Sequence, residues 1–340
     1  MHTFVAIWRR CLAAALLAGI VSSPAFGEAT QVRIGRALSI GYLPLMVMED
    51  QRLLEKHAKA AGLGDVTVEY VALTGGSALN DALLANSLQI ASGGVAPFLL
   101  LWSRTQGNAG VRALSPFNSL TLYLNTRNAE VRSVRDFSAN DRIAVLTSKS
   151  SIQAILLQME AARAFGQDNY TKLDTLTVSM PLADAAAQLM TGSKGSITAD
   201  FTLPPFSYQE IATPGIRNLI TSNDILGGPA TYTMAYTTSA FFNANPKLNA
   251  AFVSGLNEAI DIINRDRKLA GDIFVRVSKS NTPRATVDRM LSDPNITFET
   301  VPQRLGKFAE FMHAIGTLRT LPASWKDLFF PGAVQDGKGS

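Results

Sequence analysis

The sequence predicts an α/β fold of two lobes, each a mostly parallel sheet flanked by helices, with a two-strand hinge between them. Three observations carry this. A strand, a glycine turn and a helix follow one another twice within Val66 to Trp102. The same alternation returns between Arg142 and Leu203. Strands near 118–124 and 231–238 separate the two sets. Alternating strands and helices imply parallel pairing with right-handed crossovers. If both separating strands cross between lobes, the first lobe resumes after the second is complete, which makes a hinge and a cleft able to close on a ligand.

Taken in order, residues 1–27 read as a cleaved secretory signal. Arg9 and Arg10 precede ten apolar residues from Leu12 to Val21, too few to span a bilayer, and Ala25-Phe26-Gly27 offers small residues for cleavage. An uncleaved anchor is the alternative, and Arg9-Arg10 hints at twin-arginine export in a poorly fitting context. The only cysteine, Cys11, falls in this segment and precedes the apolar run, whereas a lipoprotein cysteine would follow it. Removing 27 of 340 residues leaves 313 and takes the formal charge from +4 to +2, since two arginines and no acids are lost. That near-neutral balance argues against a nucleic-acid partner. With 47% hydrophobic residues, the chain can be stabilised by core burial without disulfides.

Val32 to Leu38 reads as the first strand, followed by a turn through Ser39 and Tyr42 and a helix from Pro44 to near Gly62. Val66 to Leu73 is the next strand, broken by Gly75-Gly76-Ser77, with helical spacing from Ala78. Leu88 to Ser92 then meets Gly93-Gly94, and Pro97 suits a helix's first turn. Leu120, Leu122 and Leu124 alternate as a strand, and Arg142 to Leu146 is another, ending in Thr147-Ser148-Lys149-Ser150-Ser151. Ile152, Ile155, Leu156 and Met159 mark the clearest helix, with Ser150 or Ser151 as N-cap. Leu176 to Met180 is a strand, Ala183 to Thr191 a helix, and Ser196 to Leu203 a strand closed by Pro204-Pro205. A polar loop leads to Leu219-Ile220 and then to the alternating strand TYTMAYTT. Beyond Asn245-Pro246 the chain is helical, with Leu248, Phe252, Leu256, Ile260 and Ile263 on one face, and further helices follow at 268–278, 283–291 and 305–318. The expected division is therefore 28–117 for the first part of lobe 1, 118–232 for lobe 2, and 233–340 for the return to lobe 1 and the C-terminal helices.

Across residues 32–330 the chain resembles the substrate-binding proteins of bacterial ABC importers, in the group that covers nitrate, taurine and aliphatic sulfonate uptake and the thiamine-pyrimidine-synthase-like proteins. The resemblance rests on LLEKHAKAAGL, on GGSALNDALLANSLQIASGG and on DRIAVLTSKSSIQAILLQMEAARAFG, in that order and spacing. It implies a type 2 periplasmic binding fold, a periplasmic location, and a monomer that binds a small solute between its lobes and delivers it to an inner-membrane ABC permease with its ATPase. One departure bears on the solute. Relatives carry a tryptophan and an acid where this chain has Leu203 and Pro204, which weakens a taurine-like reading. Asp200 is either a displaced substitute for that acid or a solvent-facing or cap-bonded carboxylate.

The resemblance implies a ligand held by turns from both lobes: Ser39, Tyr42, Leu43, Gly75, Gly76, Ser77, Gly93, Gly94 and Val95 from the first, and Ser148, Lys149, Ser150 and Ser151 from the second. These supply backbone N–H groups and hydroxyls suited to sulfonate, carboxylate or phosphate oxygens. The alternative for the glycine pairs is plain turns permitting positive φ, and for Lys149 a solvated surface residue. Asn118, Thr231 and Tyr232 lie near the expected hinge, where Tyr232 either stacks on ligand or packs in the core. Beyond residue 27 the only histidines are His57 and His313, far apart in sequence, so no metal cluster, cofactor or nucleophile motif is legible and the chain is read as a non-enzyme. A ligand sensor and a periplasmic enzyme on the same fold remain the alternatives.

Overall fold

The computed structural model describes residues 27–192, 197–279, 281–333 and 339–340. The expected signal segment up to residue 26, Cys11 within it, and the expected strand start at Ser196 lie outside the described residues.

The first lobe opens with β1 (Gln31–Arg36), a one-turn 3-10 segment, α1 (Leu43–Asp50) and α2 (Leu53–Ala60). The single helix expected up to Gly62 is thus two, broken where Arg52 takes a left-handed backbone with φ 52°. Then come β2 (Thr67–Ala72), α3 (Gly76–Leu84), β3 (Ala91–Gly94), α4 (Val95–Thr105) and β4 (Arg112–Leu120). The second lobe comprises β5 (Tyr123–Thr126), β6 (Ile143–Val145), α5 (Ile152–Phe165), β7 (Thr177–Ser179), α6 (Leu182–Thr191), β8 (Ala199–Thr202), α7 (Phe206–Ala212), β9 (Arg217–Thr221) and α8 (Ser222–Leu226). The chain returns through β10 (Thr231–Thr237), α9 (Ser239–Ala244), α10 (Pro246–Arg265), α11 (Arg267–Ser278), α12 (Arg284–Ser292), β11 (Ile296–Thr297) and α13 (Leu305–Ala314). The segment read as a polar loop after Pro205 contains α7, whose Ser207, Tyr208 and Glu210 are buried against the lobe.

Strand order makes the two lobes counterparts. In the first, β1 pairs in parallel with β2, an isolated Ile34–Ile90 bridge joins them to β3, and the order continues β3-β10-β4-β11. In the second the order is β7-β6-β8-β5-β9. Strand β10 runs antiparallel to β3 and β4, and β5 runs antiparallel to β8 and β9. Each of these strands begins just after the chain has changed lobe, so it runs away from the cleft while its neighbours run toward it. The carboxyl ends of β1, β2, β3, β6, β7 and β8 therefore face the cleft, where open α/β sheets bind ligands.

What the sequence reads as one strand near 118–124 is two strands in different sheets, with the chain crossing at Thr121-Leu122. The second crossing is 227–230, where Arg304 donates to the carbonyls of Gly227 at 2.9 Å and Pro229 at 2.5 Å. Behind the first sheet, Leu248, Phe252, Leu256, Ile260 and Ile263 are buried where α10 packs on α1 and α2. Burying such side chains stabilises a lobe by about 1.5–3 kcal/mol each.

Candidate functional site

Between the lobes lies a cavity of about 380 Å³, walled by turns from the first lobe (37–39, Tyr42, 72–77, Gly94, Pro97 and Tyr232) and from the second (146–147, 150–153, 181–183 and Phe206). A cavity of this size suits a small organic molecule. Among the described residues its lining includes no Asp, Glu, Lys, Arg or His. The two ionisable groups present are the phenols of Tyr42 and Tyr232. Burial pushes both up, Tyr232 to about 12, so both are neutral hydrogen-bonding groups at physiological pH.

Polarity comes instead from helix ends. The residues preceding α1, α3, α4, α5 and α6 are Tyr42, Gly75, Gly94, Ser151 and Pro181, and all five line the cavity. Only Ser151 caps its helix with a side chain, accepting from the Ala154 N–H at 3.3 Å. First-turn N–H groups have no intrahelical partner, and each helix start carries about half a positive charge. Four of these ends, at α3, α4, α5 and α6, are open in this way, whereas α1 continues a 3-10 turn in which the Leu43 N–H already donates to the Ile40 carbonyl; four such ends around one neutral cavity form a field that favours anionic oxygens. Gly75 shows why the local sequence permits this: its φ of +83° is left-handed, and a Cβ there would stand 3.8 Å from Leu146 of the opposite lobe.

Nine of the residues expected from the sequence meet at this cavity: Ser39, Tyr42, Gly75, Gly76, Ser77, Gly94, Ser150, Ser151 and Tyr232. Eight are placed elsewhere, each for a physical reason. Leu43 and Val95 are fully buried in the apolar core. Gly93 packs against Tyr236, whose hydroxyl would stand 2.8 Å from an added Cβ. Asn118 donates to the Gly41 carbonyl and accepts the Thr233 N–H at 3.2 Å, which repairs the β4–β10 ladder at an irregularity beside Pro116. Thr231 accepts from the Gln303 N–H at 2.9 Å. Ser148 is tied to Thr177 and Ser179 of β7. Lys149 takes a left-handed backbone at φ 65° and is exposed outside the cavity lining. Asp200 is buried beneath α7 in the second lobe; burial, and then the neighbouring Glu210 charge, push its carboxyl well up.

Sequence reasoning passed over Leu38, Leu73, Pro97, Leu146, Leu182 and Phe206, which give the cavity its apolar walls. The signal for Leu182 was present: Pro181 follows the carboxyl end of β7, the same position on its strand that the glycine turns occupy on theirs. Gln153 was also passed over. It lines the cavity in the first turn of α5, is 1% exposed, and neither its Nε2 nor its Oε1 has a hydrogen-bond partner. Leaving a buried polar group unpaired costs about 1–3 kcal/mol.

Several solved structures share this architecture. The alkanesulfonate-binding protein SsuA from Xanthomonas axonopodis pv. citri, bound to MOPS, matches with a TM-score of 0.65 at 21% identity, over 86% of this chain and 96% of its own. The periplasmic nitrate-binding protein NrtA from Synechocystis PCC 6803 matches with a TM-score of 0.66 at 13% identity, over 88% and 84%. The CA3427 gene product of Candida albicans, described as having the generic periplasmic binding protein fold, matches with a TM-score of 0.60 at 15% identity, over 88% and 93%. No curated protein matches the chain by sequence. The likenesses give the fold, that of the periplasmic binding proteins, and the sequence itself matches the NMT1-like family over residues 26–274. With most of its length inside that match, the chain belongs to the NMT1-like family.

Proposed function

We propose that the protein is a periplasmic solute-binding protein that captures a small organic anion, a sulfonate or carboxylate, between its lobes. After removal of residues 1–27 it closes on the solute, and the closed form is recognised by an inner-membrane ABC permease whose own ATPase drives uptake. The observation that carries this reading is the convergence of four open helix starts on a cavity that, among the described residues, has no charged side chain in its lining. An anion gains there what no acidic wall opposes, and the apolar residues around it accommodate a hydrocarbon body. The sulfonate- and nitrate-binding proteins of the same fold lend support as relatives in architecture. Among the described residues no three His, Cys, Asp or Glu side chains stand close enough together to hold a metal ion, so the reading assigns no metal to the site.

A thermal-shift screen of the purified protein against sulfonates, aliphatic and aromatic carboxylates, nitrate, amino acids and neutral amines tests it. An anion at about 100 times its Kd stabilises the folded state by about 2.7 kcal/mol and raises Tm. Ser77→Ala with Ser150→Ala is expected to weaken that anion's binding, because both serines line the cavity. Shifts confined to cations or neutral molecules would overturn the anionic reading.

A further inference from the structure

The second lobe holds a polar layer that takes no part in lining the cavity. Asn125 of β5 stands opposite Asp200 of β8 in the sheet and donates to the Glu210 carboxylate of α7 at 2.8 Å, which brings the two acids together under the helix. Both acids are fully buried, yet neither oxygen of Asp200, nor Oε1 of Glu210, receives a hydrogen bond from any donor. The Thr202 hydroxyl beside Asp200 is equally buried and also unpartnered. Among the described residues no cation reaches the pair. Strands β5 and β9 present the amides of Asn125 and Asn218, the Arg217 guanidinium of β9 donates to the carbonyls of Asn128, Ala129 and Val131, and Asp184 of α6 lies in an exposed first turn. Two buried carboxylates side by side repel, and one proton held between them removes the repulsion and supplies the missing hydrogen bond. Asp200 is the donor, because Asn125 already stabilises negative charge on Glu210 and nothing does so on Asp200.

That proton seats α7. Within this short helix Phe206 walls the cavity, Glu210 faces the sheet, and Tyr208 donates across the cleft to Asp293, beneath the Arg289 guanidinium and beside Tyr123. A helix of two turns moves as one body, so a displacement at Glu210 carries Phe206 and Tyr208 with it. We propose, resting on the reading that the lobes close on a ligand, that the proton shared by Asp200 and Glu210 is coupled to ligand capture. With the proton in place, α7 lies on the sheet with Phe206 at the cavity and Tyr208 bonded to the opposite lobe. When it leaves to water, two like charges remain, α7 lifts, and the closed form loses both contacts. Rising pH then weakens binding through groups the ligand never touches, and by reciprocity bound ligand makes the pair hold its proton more tightly. One proton is exchanged, so affinity changes by at most about tenfold per pH unit.

Methanesulfonate and benzenesulfonate serve as probes, because a sulfonate keeps its single charge across the range. Calorimetric titration of the native protein is expected to show Kd weakening about tenfold between about pH 6 and pH 9, with protons taken up on binding where the pair titrates. In Asp200→Asn the amide donates to Glu210 and has no proton to lose, so Kd is expected to stay at the native low-pH value; Glu210→Gln serves if that variant does not fold. Amide hydrogen exchange of residues 206–212, corrected for its intrinsic pH dependence, reads the seat of α7 without ligand: protection is expected to fall with pH in the native chain and to hold in the variant. A native Kd that stays level with pH, or that changes alike in native and variant proteins, overturns the coupling. Protection of α7 that is level in the native chain overturns the role of the shared proton. Where neither sulfonate binds at any pH, the anionic reading fails, and the α7 exchange by itself upholds or overturns the proton-held seat.

Discussion

Tyr208 ties the lobes together, and removing its hydroxyl separates closure from folding. It belongs to α7 of the second lobe and donates to the carboxylate of Asp293, which lies between α12 and β11 of the first. The Arg289 guanidinium sits 4.1 Å above its ring. Burial, followed by the Asp293 bond, pushes the phenol far up, so it stays a donor throughout the physiological range. Hydrogen bonds to charged groups are worth about 1.5–3 kcal/mol. Asp293 is partly exposed and regains water when the lobes part, so the lower end applies, about 1.5 kcal/mol. In Tyr208→Phe the ring keeps its packing and its contact with Arg289, and only the interlobe bond is lost. A difference of about 1.5 kcal/mol shifts the ratio of closed to open forms about tenfold. Where the open form dominates the free protein, the apparent Kd for ligand weakens by that same factor. Titration of the variant with an anion found in the screen is expected to give a Kd about tenfold weaker, and small-angle scattering at an anion concentration near the native Kd a larger radius of gyration than the native protein shows at that concentration. A variant with native scattering and native Kd would refute the role assigned to this contact.

Two further outcomes follow from the second lobe. Burial pushes both the Asp200 and the Glu210 carboxyl up, so each holds its proton to higher pH in the folded chain than in the unfolded one. Their stabilising contribution is complete below the ordinary carboxylate pKa of about 4 and is lost as pH rises through the raised folded values. The native Tm should therefore decline as pH rises above about 4, and Asp200→Asn should flatten the decline and match or exceed the native Tm at neutral pH; a steeper decline in the variant would contradict the assignment. Ser151→Ala removes the α5 cap, which accepts the Ala154 N–H, at a cost of about 1 kcal/mol. Differential scanning calorimetry should register a drop in Tm of roughly 2 °C, and an unchanged Tm would mean that water caps the helix equally well.

Much of the architecture was legible because local periodicity encodes it. The 3.6-residue spacing of Ile152, Ile155, Leu156 and Met159 marked α5, and the stripe from Leu248 to Ile263 marked α10. Glycine turns after β2 and β3 marked strand ends facing the cleft. The division of 118–124 into β4 and β5 was not legible, because alternation is the same whether two strands share a sheet or stand in different ones. Nor was α7, a seven-residue helix whose existence depends on what covers Ser207, Tyr208 and Glu210.

The site divides along the same line. The sequence by itself determined the order of elements, the turns that end at the cleft, and the scarcity of histidine and cysteine that leaves no catalytic cluster legible. Only the tertiary structure decided which side chains of those turns look inward. Within one turn Ser148 is drawn to β7 and Lys149 points to solvent, while Ser150, Ser151 and Gln153 line the cavity. That choice hangs on the left-handed backbone at Lys149 and on the placing of β7 beside β6. A single dihedral redirects every side chain after it, and the partner strand that fixes it lies some thirty residues away in the chain, beyond the reach of any local pattern.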